Sequence, residues 1–143
     1  MMKETKIMRI YRISNFLYNR MIPLLPKLIT RFIRLMFSAE IPCSCTLGKG
    51  VQLKHGGRGI VIHDKAIIGD NTVIFQHVTI GGRESSGTPT IGRNVYIGVG
   101  ACILRNVFVG DNSKIGANAV LSPGTILEQN FIVDRLELVK QID

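Results

Sequence analysis

The chain has 143 residues, a net charge of +8 and 45% hydrophobic residues, a length that fits one domain. No run of about 18 apolar residues free of charge is present to serve as a transmembrane helix. Residues 1–37 hold eight Lys or Arg against the single acid Glu4, giving +7, so residues 38–143 are nearly neutral at +1. That segregation argues against nucleic-acid binding, which needs basic residues spread along a face with aromatic partners.

Residues 7–20 read as a helix, with Ile10, Ile13 and Phe16 or Leu17 on one side and arginines on the other. Pro23 and Pro26 break it, and a second helix over Lys27–Phe37 sets Leu28, Phe32, Leu35 and Met36 against Arg31 and Arg34. The basic N-terminus lacks an apolar core followed by a small-residue cleavage site, so it does not read as a signal peptide. Residues 1–38 therefore form a basic amphipathic arm with two readings. Its apolar face packs on the rest of the chain or on neighbouring subunits, which is the preferred one. Alternatively, residues 1–37 make a peripheral contact with anionic lipid.

From Glu40 onward the period changes to six. Ile91, Ile97, Ile103, Val109, Ile115, Leu121, Leu127 and Val133 fall at every sixth position, preceded by Ile41, Leu47, Leu53, Ile62, Ile68, Ile74 and Ile80. Four places after these, Val95, Ala101, Val107, Ser113, Ala119 and Thr125 are small or β-branched. Neither a helix nor an ordinary strand has this period. It suits an all-β solenoid over 39–143 in which each hexapeptide makes one flat side and one corner. Cys45 takes the small inward slot. With Cys43 and Cys102 it shows neither metal-type spacing nor a disulfide framework, so no metal is expected and the reducing cytoplasm is the natural home.

The repeat is interrupted at 55–59 (HGGRG) and at 81–90 (GGRESSGTPT), both rich in turn residues. Interruptions are where function tends to sit, because the repeat itself needs none. Grouping three hexapeptides per coil stacks Leu53, Ile74, Ile97 and Ile115 on one side. His55, Gln76, Val99 and Ala117, two residues past each, then share a corner that runs roughly 14 Å at a strand spacing of ~4.8 Å. His63 reads as a surface residue and His77 as a stacking residue one coil above His55.

The rows IGDNTV, IGRNVY, VGDNSK and IGANAV resemble the left-handed parallel β-helix acyltransferases. The stretches HGGRGIVI and QHVTIGG are similar to the serine acetyltransferase branch, which also holds O-acetyltransferases of capsule and exopolysaccharide synthesis. The resemblance covers about 38–127. It implies a left-handed coil, acetyl-CoA as co-substrate and a homotrimer. It implies His55 as general base, with Glu40 orienting it where the serine enzymes carry Asp. Gly81 and Gly82 would lie along the thioester, with further coenzyme contacts at Val99, Lys114 and Ala117. Two of these fall on the corner obtained by counting.

Thr88 stands before Pro89 where the serine enzymes carry a substrate-binding His, and their large helical N-terminal domain has only the short arm as its counterpart here. The expectation is therefore O-acetylation of a sugar hydroxyl in surface polysaccharide synthesis, in the cytoplasm or at the inner face of its membrane. Serine O-acetylation is the alternative. From a different class comes a non-catalytic hexapeptide scaffold, for which an interrupted coil carrying a base has no use. The chemistry fits the residue types. Imidazole, with an unperturbed pKa of about 6.5, accepts a hydroxyl proton near neutral pH. A carboxylate on its other nitrogen fixes the tautomer, and glycine-turn N–H groups approach an oxyanion closely.

Overall fold

The computed structural model describes residues 4–81 and 87–134. Residues 40–134 wind into an all-parallel β-solenoid of triangular section. The first face stacks Val61–Ile62, Thr79–Ile80, Cys102–Ile103 and Val120–Leu121, with Glu40 bridged to Val61 below them. The second stacks Thr46–Leu47, Ile67–Ile68, Thr90–Ile91, Phe108–Val109 and Ile126–Leu127. The third stacks Gln52–Leu53, Val73–Ile74, Tyr96–Ile97, Lys114–Ile115 and Ile132–Val133. Three hexapeptides per coil is therefore the observed register.

Each two-residue strand points its second residue inward. Leu53, Ile74, Ile97 and Ile115 are fully buried and directly stacked, so every coil removes its apolar row from water against the next. The small slots fill the corners: Ala66, Val78, Val95, Ala101, Val107 and Ala119 are buried. Where that slot is polar it is satisfied locally. Thr72 Oγ1 donates to Gly92 O at 3.0 Å and Ser113 Oγ to Glu128 O at 3.2 Å.

The corner between the second and third faces turns through a left-handed residue three places after the inward aliphatic. Gly50, Asn71, Asn94, Asn112 and Asn130 occupy it, with φ between 55° and 69°. Asparagine tolerates this region better than other non-glycine residues. The glycine just before each turn has a different cause. A Cβ on Gly69 would lie 2.6 Å from the carbonyl of Gly92, and one on Gly110 would lie 2.5 Å from Gln129 N. The coils approach too closely there for a side chain.

The arm folds as α1 (Lys6–Asn19) and α2 (Leu25–Phe37). The second helix begins two residues earlier than its sequence suggests, because Pro26 sits comfortably in a first turn where its missing N–H is no loss. Ile7, Met8, Tyr11 and Ile33 join the solenoid's own core, so arm and coil bury one continuous apolar interior. The first helix also covers the open end of the solenoid. No coil lies below residues 43–48, and their carbonyls would otherwise be bare edge acceptors. Tyr11 Oη donates to Cys45 O at 2.6 Å, Asn15 Nδ2 to Cys43 O at 2.8 Å, and the Arg12 guanidinium to the carbonyls of Leu47 and Gly48.

Candidate functional site

The first interruption makes a local knot at the corner between the third and first faces. Lys54–Gly57 form a short 3-10 turn, inside which His55 and Gly56 leave helical geometry for the left-handed region. His55 (φ 52°), Gly56 (φ 71°), Gly57 (φ 73°) and Gly59 (φ 67°) crowd that region within five residues. Glycine adopts it freely, whereas a histidine there carries strain of about 1 kcal/mol that the surroundings must hold. Such strain is concentrated at functional sites. In later coils Gln76, Val99 and Ala117 hold the equivalent place without a positive φ. The insertion alone sets the His55 backbone apart.

The His55 side chain is exposed and makes no hydrogen bond or ion pair among the described residues. Its ring faces Phe75 one coil above, with centroids 6.0 Å apart, and Phe75 in turn faces Tyr96 at 5.1 Å. Phe75 therefore lines one side of an imidazole whose nitrogens make no bond within the chain. His77 packs over the insertion: a Cβ on Gly59 would fall 2.2 Å from its Nδ1. That close fit matches the stacking role expected for it. His63 is less superficial than its sequence position suggests, with Nδ1 2.9 Å from Asp64 Oδ1 and 3.2 Å from Lys65 N.

Glu40 is tied to the same insertion through its backbone. Its N–H donates to Ile60 O at 2.8 Å, while Gly59 N donates to Ser38 O at 2.9 Å. Its carboxylate is exposed and lies 4.0 Å from Arg34 Nη1, and it makes no hydrogen bond to His55. The backbone thus brings His55 and Glu40 to one edge without joining their side chains.

The candidate coenzyme residues divide between two corners. Val99 and Ala117 stack above His55 and Gln76, tied by Asn118 N donating to Val99 O at 2.8 Å and Gly100 N to Gln76 O at 3.1 Å. Lys114 points outward from the third face, beside Tyr96. Gly81 lies across the first face from His55, at the next corner. Its N–H already donates to Ile103 O at 3.0 Å, so it is not free for an oxyanion. Gly82 lies outside the described residues. Thr88 is half-buried beside the buried Pro89.

Gln76 shares this corner, one coil above His55. Its Oε1 is buried and has no hydrogen-bond partner among the described residues. A buried acceptor left alone costs about 1–3 kcal/mol. The signal in the sequence is an amide in a slot that Val99 and Ala117 fill apolarly.

Residues 88–130 match the bacterial transferase hexapeptide family of six repeats. The serine acetyltransferase of Synechococcus elongatus is 40% identical over 114 residues, which are 78% of this chain and 46% of that protein. The Brucella abortus serine acetyltransferase solved with coenzyme A superposes with a TM-score of 0.83 at 29% identity, over 91% of this chain and 52% of that one. The Neisseria gonorrhoeae serine acetyltransferase solved with serine gives 0.84 at 31% identity, over 91% and 53%. The chain spans about half the length of these relatives. The interrupted hexapeptide coil, its parallel three-sided register and these likenesses fit the left-handed β-helix, and the chain belongs to the hexapeptide-repeat transferase family, with serine acetyltransferases as its relatives.

Proposed function

We propose that the chain transfers the acetyl group of acetyl-CoA to an acceptor hydroxyl, with His55 as general base. The observation that carries this is the exposed, unbonded imidazole held in left-handed geometry at the interrupted corner of a transferase coil. His55 accepts the proton of the acceptor hydroxyl as its oxygen attacks the thioester carbonyl. The tetrahedral intermediate then expels the coenzyme sulfur, which takes the proton back from the imidazolium. Glu40 steadies that imidazolium once its carboxylate turns from Arg34 toward the ring. With the Gly81 N–H engaged in the solenoid, Gly81 serves the thioester by having no side chain rather than as a donor. Val99, Ala117 and Lys114 line the path of the coenzyme along the corner and the adjoining face.

Serine is the acceptor that the relatives favour, which reverses the order expected from the sequence. A sugar hydroxyl is the second reading, carried by Thr88, because a hydroxyl there contacts an amino acid less strongly than an imidazole does. A homotrimer is the working assembly, and the outward row Ile67, Phe108 and Ile126 on the second face supplies an exposed apolar surface for it. The test is release of the coenzyme thiol from acetyl-CoA against L-serine, nucleotide sugars and short glycans. Turnover with one acceptor and its loss in His55→Ala supports the reading. Absence of turnover with all of them, by a folded protein that binds no coenzyme, refutes it in favour of a scaffold.

A further inference from the structure

The second helix carries more apolar surface than the protein covers. Pro26, Ile29, Thr30, Ile33 and Phe37 follow the i, i+3, i+4, i+7, i+11 spacing of one face and turn toward the first helix and the coil. Leu25, Leu28, Phe32 and Leu35 form a second stripe beside the first, and all four are exposed. The turn before the helix extends that stripe. Met21 is 88% exposed and Leu24 72%, in a turn where both take positive φ, and Leu35 at the other end of the stripe is 81% exposed. On the flat solenoid faces, outward apolar residues such as Ile67, Phe108 and Ile126 are interspersed with Thr, Gln, Lys and Cys.

Charge indicates what covers the stripe. From Thr5 to Ala39 there are seven Lys or Arg and no acid. Arg12 is engaged with the carbonyls of Leu47 and Gly48 and with Glu4, but Arg20, Lys27 and Arg31 are exposed around the stripe. A second copy docking face to face here would set its own basic residues against these. An anionic surface complements them, and long basic side chains reach such a surface while their neighbours insert.

We infer that α2 and the turn before it dock on an anionic lipid bilayer, with the stripe of Leu24, Leu28, Phe32 and Leu35 in the interface and Arg20, Lys27 and Arg31 at the headgroups. No helix of the described residues is long and apolar enough to cross a membrane, so the contact lies in the plane of the surface. Lipid docking needs none of the transfer chemistry and stands if that chemistry fails. It places the solenoid beside a membrane, where an acceptor carried on a lipid would be within reach.

The test is co-sedimentation of the full chain with vesicles of phosphatidylcholine alone and of phosphatidylcholine with phosphatidylglycerol. Binding is expected only with the anionic lipid, and to vanish at high salt. Lys27→Gln with Arg31→Gln should weaken it by about 30-fold, the weight of two basic residues at an anionic surface. Leu28→Asn with Leu35→Asn should weaken it by about 100-fold or more through lost apolar insertion. Circular dichroism and sedimentation velocity, run on each variant, establish that it is folded and in its usual assembly. Equal binding to both vesicle types, or binding that both double variants retain, overturns the inference. So does absence of vesicle binding together with a changed assembly in Leu28→Asn with Leu35→Asn, which would make the stripe an interface between copies.

Discussion

Replacing Gly69 by alanine tests the close approach that sets the solenoid's pitch. A Cβ at Gly69 would stand 2.6 Å from the carbonyl carbon and oxygen of Gly92 and 2.8 Å from Arg93 N, all backbone atoms of the next coil. Carbon atoms settle at about 3.5–4.0 Å, so the two coils must part by roughly 1 Å at this corner. The hydrogen bond from Gly69 N to Ile91 O, now 2.8 Å, would stretch beyond bonding range. Losing one ladder bond costs about 0.5–1.5 kcal/mol, and forcing an atom into a packed site costs about 1–3 kcal/mol. The expected destabilisation is therefore about 2–4 kcal/mol, read as a lower midpoint of urea unfolding at constant slope. Gly56→Ala is the control. It has nothing within 4 Å of its Cβ but a φ of 71°, so only backbone strain of about 1–2 kcal/mol applies. If Gly69→Ala proved no more destabilising than Gly56→Ala, close coil approach would not be what excludes a side chain there.

Three further outcomes are expected. His55→Ala lowers kcat on the true acceptor by about 10²–10⁴ with little loss of stability, and near-normal kcat would remove it as the base. Burial pushes the Cys45 thiol up to about 12, so at pH 8 a thiol reagent should label the half-buried Cys102 first and reach Cys45 only on unfolding; equal labelling rates would contradict that environment. Asp111 accepts from Arg93 N at 2.7 Å and from its guanidinium at 2.9 and 3.1 Å, and these bonds hold its carboxyl below the usual range. A lowered folded value stabilises above the ordinary carboxylate range and is lost as pH falls through it. The stability gap between wild type and Asp111→Asn should therefore close on acidification, and a gap independent of pH would refute the assignment.

The solenoid was legible because its physics is periodic. Each inward aliphatic meets the same neighbours one coil above and below, so a single rule places Leu53, Ile74, Ile97 and Ile115 in register by counting. The same counting located the His55 corner, since an insertion stands out only against a strict repeat. The left-handed corner was also written in the chain, in the asparagines three places after Ile68, Ile91, Val109 and Leu127. Attention to the aliphatic rows passed over it.

What the period does not fix lies where the chain stops repeating. That Tyr11, Arg12 and Asn15 would cap the carbonyls of Cys43, Cys45, Leu47 and Gly48 depends on how the arm meets the coil, more than 25 residues apart in sequence. The Glu40 side chain is governed the same way: its backbone obeys the coil, while its carboxylate is drawn toward Arg34 of the arm. Within one chain the arm packs through Ile7, Met8, Tyr11 and Ile33, while Leu28, Phe32 and Leu35 are left exposed for a neighbouring subunit or a surface to cover. One amphipathic pattern covers both groups in the sequence, because hydrophobic periodicity records that a face leaves water without recording what it enters. Arg34 joins these two themes. It belongs to the basic arm and lies 4.0 Å from the Glu40 carboxylate, an exposed pair worth little by itself, so the side chain's direction is set by where the arm meets the coil.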